Sequence, residues 1–222
     1  AQQQTARQQP ARKLTPVTDA MLQKPDPNDR LMWRRTLDGF GYSPLNQINR
    51  NNVAQLRMVW THGLGAGSSH EGTPLVHDGV MFVPNPGDYI QAYDVKTGDM
   101  IWEYQRELAQ ANRRTTNRTV AMYANLIIDE TSDNHLVAVD AETGKVVWDT
   151  EVLDPKKPAN ASAGPIVVNG KVISGRQCQP GAGRGDHRTD RAVGCRGQHQ
   201  PHLLDQRRAD HAVRPGRDER EG

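Results

Sequence analysis

Three side chains in this sequence are of types that could serve chemistry, although their residues alone do not raise them above ordinary structural roles. They are Glu71 in His70-Glu-Gly-Thr-Pro74, Arg118 in Asn117-Arg-Thr-Val-Ala-Met-Tyr123, and Ser162 in Ala161-Ser-Ala-Gly-Pro165. A planar guanidinium suits paired carbonyl acceptors and developing negative charge. Glu71 offers a carboxylate and Ser162 a hydroxyl donor. Taken one at a time, each has a bland reading: a solvated loop carboxylate, a surface arginine beside Arg113 and Arg114, and a plain loop serine. Other residue types offer less. His62, His70, His77 and His135 are scattered without ligand spacing, so exposed or capping roles are expected, and neither a metal ligand nor a catalytic base is assigned. Cys178 and Cys195 are the only cysteines and both come late, which does not support a disulfide framework. Asn117-Arg-Thr119 also spells a glycosylation sequon, which we discount.

What must position these residues is a repeat. Ala92-Tyr-Asp-Val-Lys-Thr-Gly-Asp-Met-Ile-Trp102 recurs 46 positions later as Ala138-Val-Asp-Ala-Glu-Thr-Gly-Lys-Val-Val-Trp148. Both copies read Ala-x-Asp-x-x-Thr-Gly-x-x-x-Trp, and a repeat of that period marks a β-propeller blade. Asp94 and Asp140 can accept from the amides of their own turns, Gly98 and Gly144 supply a positive φ, and the following strand carries the Trp inward. The first blade reads as strands Thr73–His77, Val80–Val83, Tyr89–Tyr93 and Met100–Tyr104, with Asp78-Gly79 as a two-residue turn. The second reads Thr119–Tyr123, Leu126–Asp129, His135–Val139 and Val146–Thr150. A third begins with Gly164–Val168, turns at Asn169-Gly170, and continues through Lys171–Ser174. Leu56–His62 reads as an earlier strand that ends near Trp60 and zips onto the last blade of a ring. Trp60, Trp102 and Trp148 are read as structural packing.

The fold class is therefore all-β, built of four-stranded antiparallel blades. Residues 1–30 form a flexible leader within which Thr18–Gln23 could start a short helix, residues 31–175 a partial propeller of about two and a half blades, and residues 176–222 a distinct tail. That tail has 47 residues and no Phe, Trp, Tyr, Ile or Met, and it is expected to be a solvated coil that makes no strand pairing with the first two blades. A native basic extension is one account of it. The preferred account is a shifted reading frame, because the break falls in mid-blade, and the codons for Gly185–Arg191 read one base later permit Ile-Thr-Ala followed by Thr and Gly. The net charge of +2 gives no call for nucleic acid, and no apolar run approaches the roughly 18 residues of a membrane span.

Beyond the repeat, Tyr42-Ser-Pro-Leu-Asn-Gln-Ile-Asn49, Val53-x-x-Leu-x-x-x-Trp60 and Thr73-Pro-Leu-Val-x-Asp-Gly-Val-Met81 resemble the start of the pyrroloquinoline quinone (PQQ) dependent alcohol dehydrogenases. The resemblance runs from about Trp33 to Gly175 and implies a portion of an eight-bladed propeller, periplasmic, holding PQQ and calcium on its axis. It implies oxidation of an alcohol with electrons passed to a cytochrome c or other acceptor, and cofactor contacts from Glu71, Arg118 and Ser162. Departures accompany it. Many members place adjacent cysteines before the arginine, where this chain has Asn112-Arg113. After Gly175, where one branch brings a calcium-ligating glutamate, the chain reads Arg176-Gln-Cys-Gln-Pro180, closer to a branch with a Cys-Gln-Pro-Gly loop. No Cys-x-x-Cys-His is present to attach haem c. The remaining calcium ligands and the catalytic base belong to later blades, so the chain as written is expected to be inactive. A non-catalytic scaffold propeller of the same repeat family is the competing reading, and a sugar dehydrogenase of the same cofactor class is a third.

Overall fold

Two complete four-stranded antiparallel sheets and part of a third follow one another along the chain. The structure, a computed structural model, describes residues 12–64, 69–108, 116–153, 159–160, 163–175, 177–178 and 202–205. The first sheet takes β1 (Leu75–His77), β2 (Val80–Asn85), β3 (Tyr89–Asp94) and β4 (Met100–Gln105) in sequence order. The second repeats this with β5 (Ala121–Tyr123), β6 (Leu126–Glu130), β7 (His135–Asp140) and β8 (Val146–Glu151). In the third, β10 (Ile166–Val168) pairs with β11 (Lys171–Ser174); β9 (Ala159–Asn160) and β12 (Gln177–Cys178) pair separately as a two-stranded sheet. Strands β1–β8, β10 and β11 match those read from the sequence to within a few residues at each end, whereas β9 and β12 have no counterpart in that reading.

Turn chemistry accounts for the agreement. Asp78 and Gly79 have φ of 48° and 75°, Asn169 and Gly170 of 51° and 66°, so both are two-residue turns with two left-handed residues, as the twist of a hairpin requires. In the longer turns, Asp94 Oδ1 accepts from the amides of Lys96 (2.8 Å) and Thr97 (3.1 Å), and Asp140 Oδ1 from those of Glu142 (3.2 Å) and Thr143 (2.8 Å). The Gly98 and Gly144 amides close each turn on the Asp carbonyl, at 2.9 and 2.8 Å. The irregularity that follows also repeats, between Ala92 and Tyr93 in one sheet and Ala138 and Val139 in the next.

The tryptophans join blades rather than finishing their own. The Trp60 indole donates to the Val95 carbonyl at 3.0 Å and that of Trp102 to the Ala141 carbonyl at 2.9 Å, each in the turn of the following repeat. The rings lie flat against the turn glycine: a methyl added at Gly98 or Gly144 would fall 2.6 Å from ring carbons of Trp60 or Trp102. The repeated Gly thus serves twice, once for its positive φ and once for this close approach. Ile101 and Trp102 are buried between sheets, while their counterparts on β8 are more open, Val147 at 41%. Polar ties reinforce the junction. Arg106 spans Asp133 and Asp149, and the Ser132 amide donates to Asp88 at 3.0 Å.

Three segments depart from the sequence reading. From Arg12 onward the leader is an ordered strap, with Leu14, Val17, Leu22 and Leu31 buried against the sheets. Thr18 caps α1 (Asp19–Gln23), accepting from the Met21 amide, and the strap crosses the first hairpin turn of all three sheets. Thr15 N donates to Asp78 Oδ2 (2.7 Å), Val17 and Ala124 exchange both backbone bonds, and Asp19 accepts from Tyr123 Oη and Gly170 N. Those two backbone bonds offset the left-handed φ of 49° at Ala124. Second, Leu56–His62 joins no sheet among the described residues; with no strand beside it there is no ladder to complete, and Met58 and Val59 are both 82% exposed. Third, the tail contributes β13 (His202–Asp205), which runs antiparallel to β11 and carries the tail's two adjacent leucines. Its pairing is with the third sheet, not with the first two. Among the described residues no helix is long and apolar enough to cross a membrane.

Candidate functional site

The candidate residues sit just before the first strands of consecutive sheets. Glu71 precedes β1 by four residues, and Arg118 precedes β5 by three. The Thr73 amide donates to the Arg118 carbonyl at 2.8 Å, which fixes these two approaches against each other. Glycine permits equally close packing nearby. A methyl on Gly72 would lie 2.2 Å from the Pro84 carbonyl oxygen, and one on Gly164, whose φ is 74°, 2.1 Å from that of Thr119.

The consequence is an ion pair. Arg118 Nη2 lies 2.8 Å from Glu71 Oε2, with side chains 43% and 45% exposed. Ser69 Oγ donates to Glu71 Oε1 at 2.7 Å. The Ser69 hydrogen bond first, and then the Arg118 charge, hold the Glu71 carboxyl below the usual carboxylate range despite an opposing desolvation. Beneath the pair the backbone is anchored. Asn117 is fully buried and its amide donates to Asp129 at 3.2–3.3 Å, so the sequon asparagine faces the interior. Farther in, Ser174 Oγ donates to Glu130 Oε1 at 2.7 Å.

The structure therefore brings Glu71 and Arg118 to one surface, where they form an ion pair. Ser162 lies outside the described residues, as do Asn112 and Arg113. Ser69, which completes the grip on Glu71, and the Asn117–Asp129 anchor had no sequence signal; each depends on which segments meet. No group of three or more His, Cys, Asp or Glu residues able to hold a metal occurs among the described residues. An exposed ion pair adds little to stability, being screened and entropically costly to hold. Glu71→Gln should accordingly leave the urea midpoint unchanged within error, checked by circular dichroism at neutral pH.

Comparison with known proteins puts this surface in context. Residues 31–190 match the family described as PQQ: glucose/ethanol/alcohol dehydrogenase, beta-propeller domain. The quinoprotein alcohol dehydrogenase PedH of Pseudomonas putida is 40% identical over 144 residues, covering 63% of this chain and 24% of PedH. The 1-butanol dehydrogenase (cytochrome c) of Thauera butanivorans is 38% identical over 143 residues, 62% of this chain and 21% of that protein. Among solved structures, a europium-containing methanol dehydrogenase superposes with TM-score 0.66 at 32% identity, over 72% of this chain and 29% of that one. The quinohemoprotein alcohol dehydrogenase ADHIIG of Pseudomonas putida gives 0.68 at 32% identity, over 74% and 25%. This chain thus spans about a quarter of the length of these relatives.

Proposed function

Since this chain belongs to the PQQ glucose/ethanol/alcohol dehydrogenase β-propeller family, we propose that the surface bearing Glu71 and Arg118 is one wall of a PQQ site in an enzyme that oxidises alcohols. The observation that carries this reading is the 2.8 Å Glu71–Arg118 pair, formed just before the first strands of consecutive blades with both side chains partly exposed. The residues suit the group. PQQ presents adjacent quinone carbonyls and carboxylates, which call for a planar cation, and Arg118 supplies one. Glu71 orients the guanidinium, and Ser69 orients Glu71. The Thr73–Arg118 backbone bond and the buried Asn117 hold the arginine's segment in place, so the donor is preorganised. Bound PQQ would supply the two-electron acceptor that alcohol oxidation needs. Ser162, in the corresponding approach to the third blade, is the remaining cofactor contact in this proposal.

In this proposal the catalytic base and the ligands of a calcium ion belong to other blades of the family's propeller. An acceptor of cytochrome type and a periplasmic location complete the proposal. The scaffold reading is less supported, because the exposed Glu71–Arg118 ion pair does little for stability.

The test is a dye-reduction assay with PQQ, calcium and ethanol or longer alcohols. The 222-residue chain alone should give no turnover above that of free cofactor. A chimera in which residues 31–175 replace the corresponding part of PedH should give saturable, alcohol-dependent turnover. Turnover by the chain alone would contradict its assignment as an incomplete site, and an inert but folded and PQQ-loaded chimera would contradict the alcohol-oxidising role.

A further inference from the structure

The stretch from Trp33 to Leu64 is rich in apolar side chains that the sheets do not cover. Phe40, Tyr42, Ile48, Leu56, Met58 and Val59 are each more than half exposed. Together they present on the order of 800 Å² of surface, the area each partner of a stable complex buries. Within this stretch, Leu56–His62 has the residues of a strand. Among the described residues no backbone group of residues 57–62 bonds to another backbone group. The Trp60 indole, on the Val95 carbonyl at 3.0 Å, pins the segment to the first sheet and leaves Arg57, Met58 and Val59 in solvent.

The same chain carries an edge that suits this segment. β8 pairs with β7 on one side, and its other edge is free among the described residues. Edge strands ordinarily carry charge, a bulge or a cover that prevents pairing. β8 instead opens with Val146 and Val147, 51% and 41% exposed. Asp149 and Glu151 follow, both exposed. The charges are complementary, because Trp33 to Leu64 holds Arg34, Arg35, Arg50 and Arg57 against a single acid, Asp38. An antiparallel register that sets Val59 opposite Val147 also sets Arg57 opposite Asp149, so one alignment matches the apolar and the charged pairs together. Asp149 is bound to Arg106 at 2.8 Å, yet its side chain remains 36% exposed.

We propose that Leu56–His62 of one copy adds as an antiparallel strand to the free edge of β8 in a second copy, assembling the chain head to tail. Strand addition draws affinity from backbone bonds and specificity from alternate side chains. The segment precedes the first sheet and the receiving edge closes the second, so the contact joins unlike surfaces. A copy that gives its segment keeps its own edge free, and oligomers grow beyond dimers as concentration rises.

The test is sedimentation velocity of the 222-residue chain over about a hundredfold range of concentration, where mass action drives association. The mean mass should rise from one copy to beyond two. Val59→Asp sets an unpaired acid among valines and close to Asp149, and should weaken association by about tenfold or more. Residue 59 is exposed, so this variant keeps the fold of the monomer. Disulfide trapping in a Cys178→Ser, Cys195→Ser background reads the position of the contact. Val59→Cys mixed with Val147→Cys should give a mixed dimer faster than either variant pairs with itself. A chain that stays monomeric throughout would overturn the proposal, whether its 57–61 amides exchange freely or are covered by its own segments. So would association that Val59→Asp leaves unchanged, or trapping no faster in the mixture than in the single variants.

Discussion

Trp102→Ala is expected to cost about 3–5 kcal/mol, the range for deleting a large buried aromatic. The ring is 5% exposed, tilts against Phe82 at a centroid distance of 5.9 Å, and covers Gly144 of the next repeat. Its loss also strands the Ala141 carbonyl that accepts from the indole. Because the ring sits between two sheets, the variant should weaken the coupling between them as well as total stability. Trp148→Ala, at the same place in the next repeat but more open, should cost substantially less. Urea denaturation of both variants checks this, the contrast between equivalent positions being the informative quantity. Equal losses would mean that burial between blades is not what makes Trp102 matter.

The second large effect is expected at Gly164. An alanine there must take a left-handed φ, which costs about 1–3 kcal/mol. Its methyl would also sit 2.1 Å from the Thr119 carbonyl oxygen, and a backbone atom cannot swing aside as a long side chain can. Gly164→Ala should therefore displace either the third sheet or the segment carrying Arg118. Gly175→Ala, where an added methyl meets nothing within 4 Å, serves as the control. Denaturation midpoints should separate the two variants, and amide exchange across 117–123 should rise only for Gly164→Ala.

The hairpins were legible because their information is local. Asp78-Gly79 and Asn169-Gly170 specify left-handed turns by residue type, and Asp94 and Asp140 organise their own loops within four residues. The partner of each Trp was not legible. The repeat shows that Trp102 follows its turn at a fixed distance, but the sheet that receives the ring depends on how blades stack. The strap escaped for a related reason. Leu14, Val17, Leu22 and Leu31 follow no helical or strand period, because each fills a separate gap along an irregular path over turn tips. Leu56–His62 has the residues of a strand, yet a strand also needs a neighbour. At the site, Glu71 and Arg118 were flagged one by one through family motifs. Their meeting follows from the blade register, since each stands just before the first strand of its sheet. Ser69 carries no signal of its own, because its bond to Glu71 depends on how that loop folds.

The most direct test of the account is the PQQ affinity of the PedH chimera carrying residues 31–175, measured by equilibrium dialysis with and without Arg118→Ala. Arg118 is exposed enough that its removal should leave the fold intact, which circular dichroism would verify. The account predicts that Arg118→Ala weakens PQQ binding by about tenfold or more, the loss of a charge-assisted contact, with Glu71→Gln producing a smaller change in the same direction. An Arg118→Ala chimera that binds PQQ as tightly as its parent would contradict it.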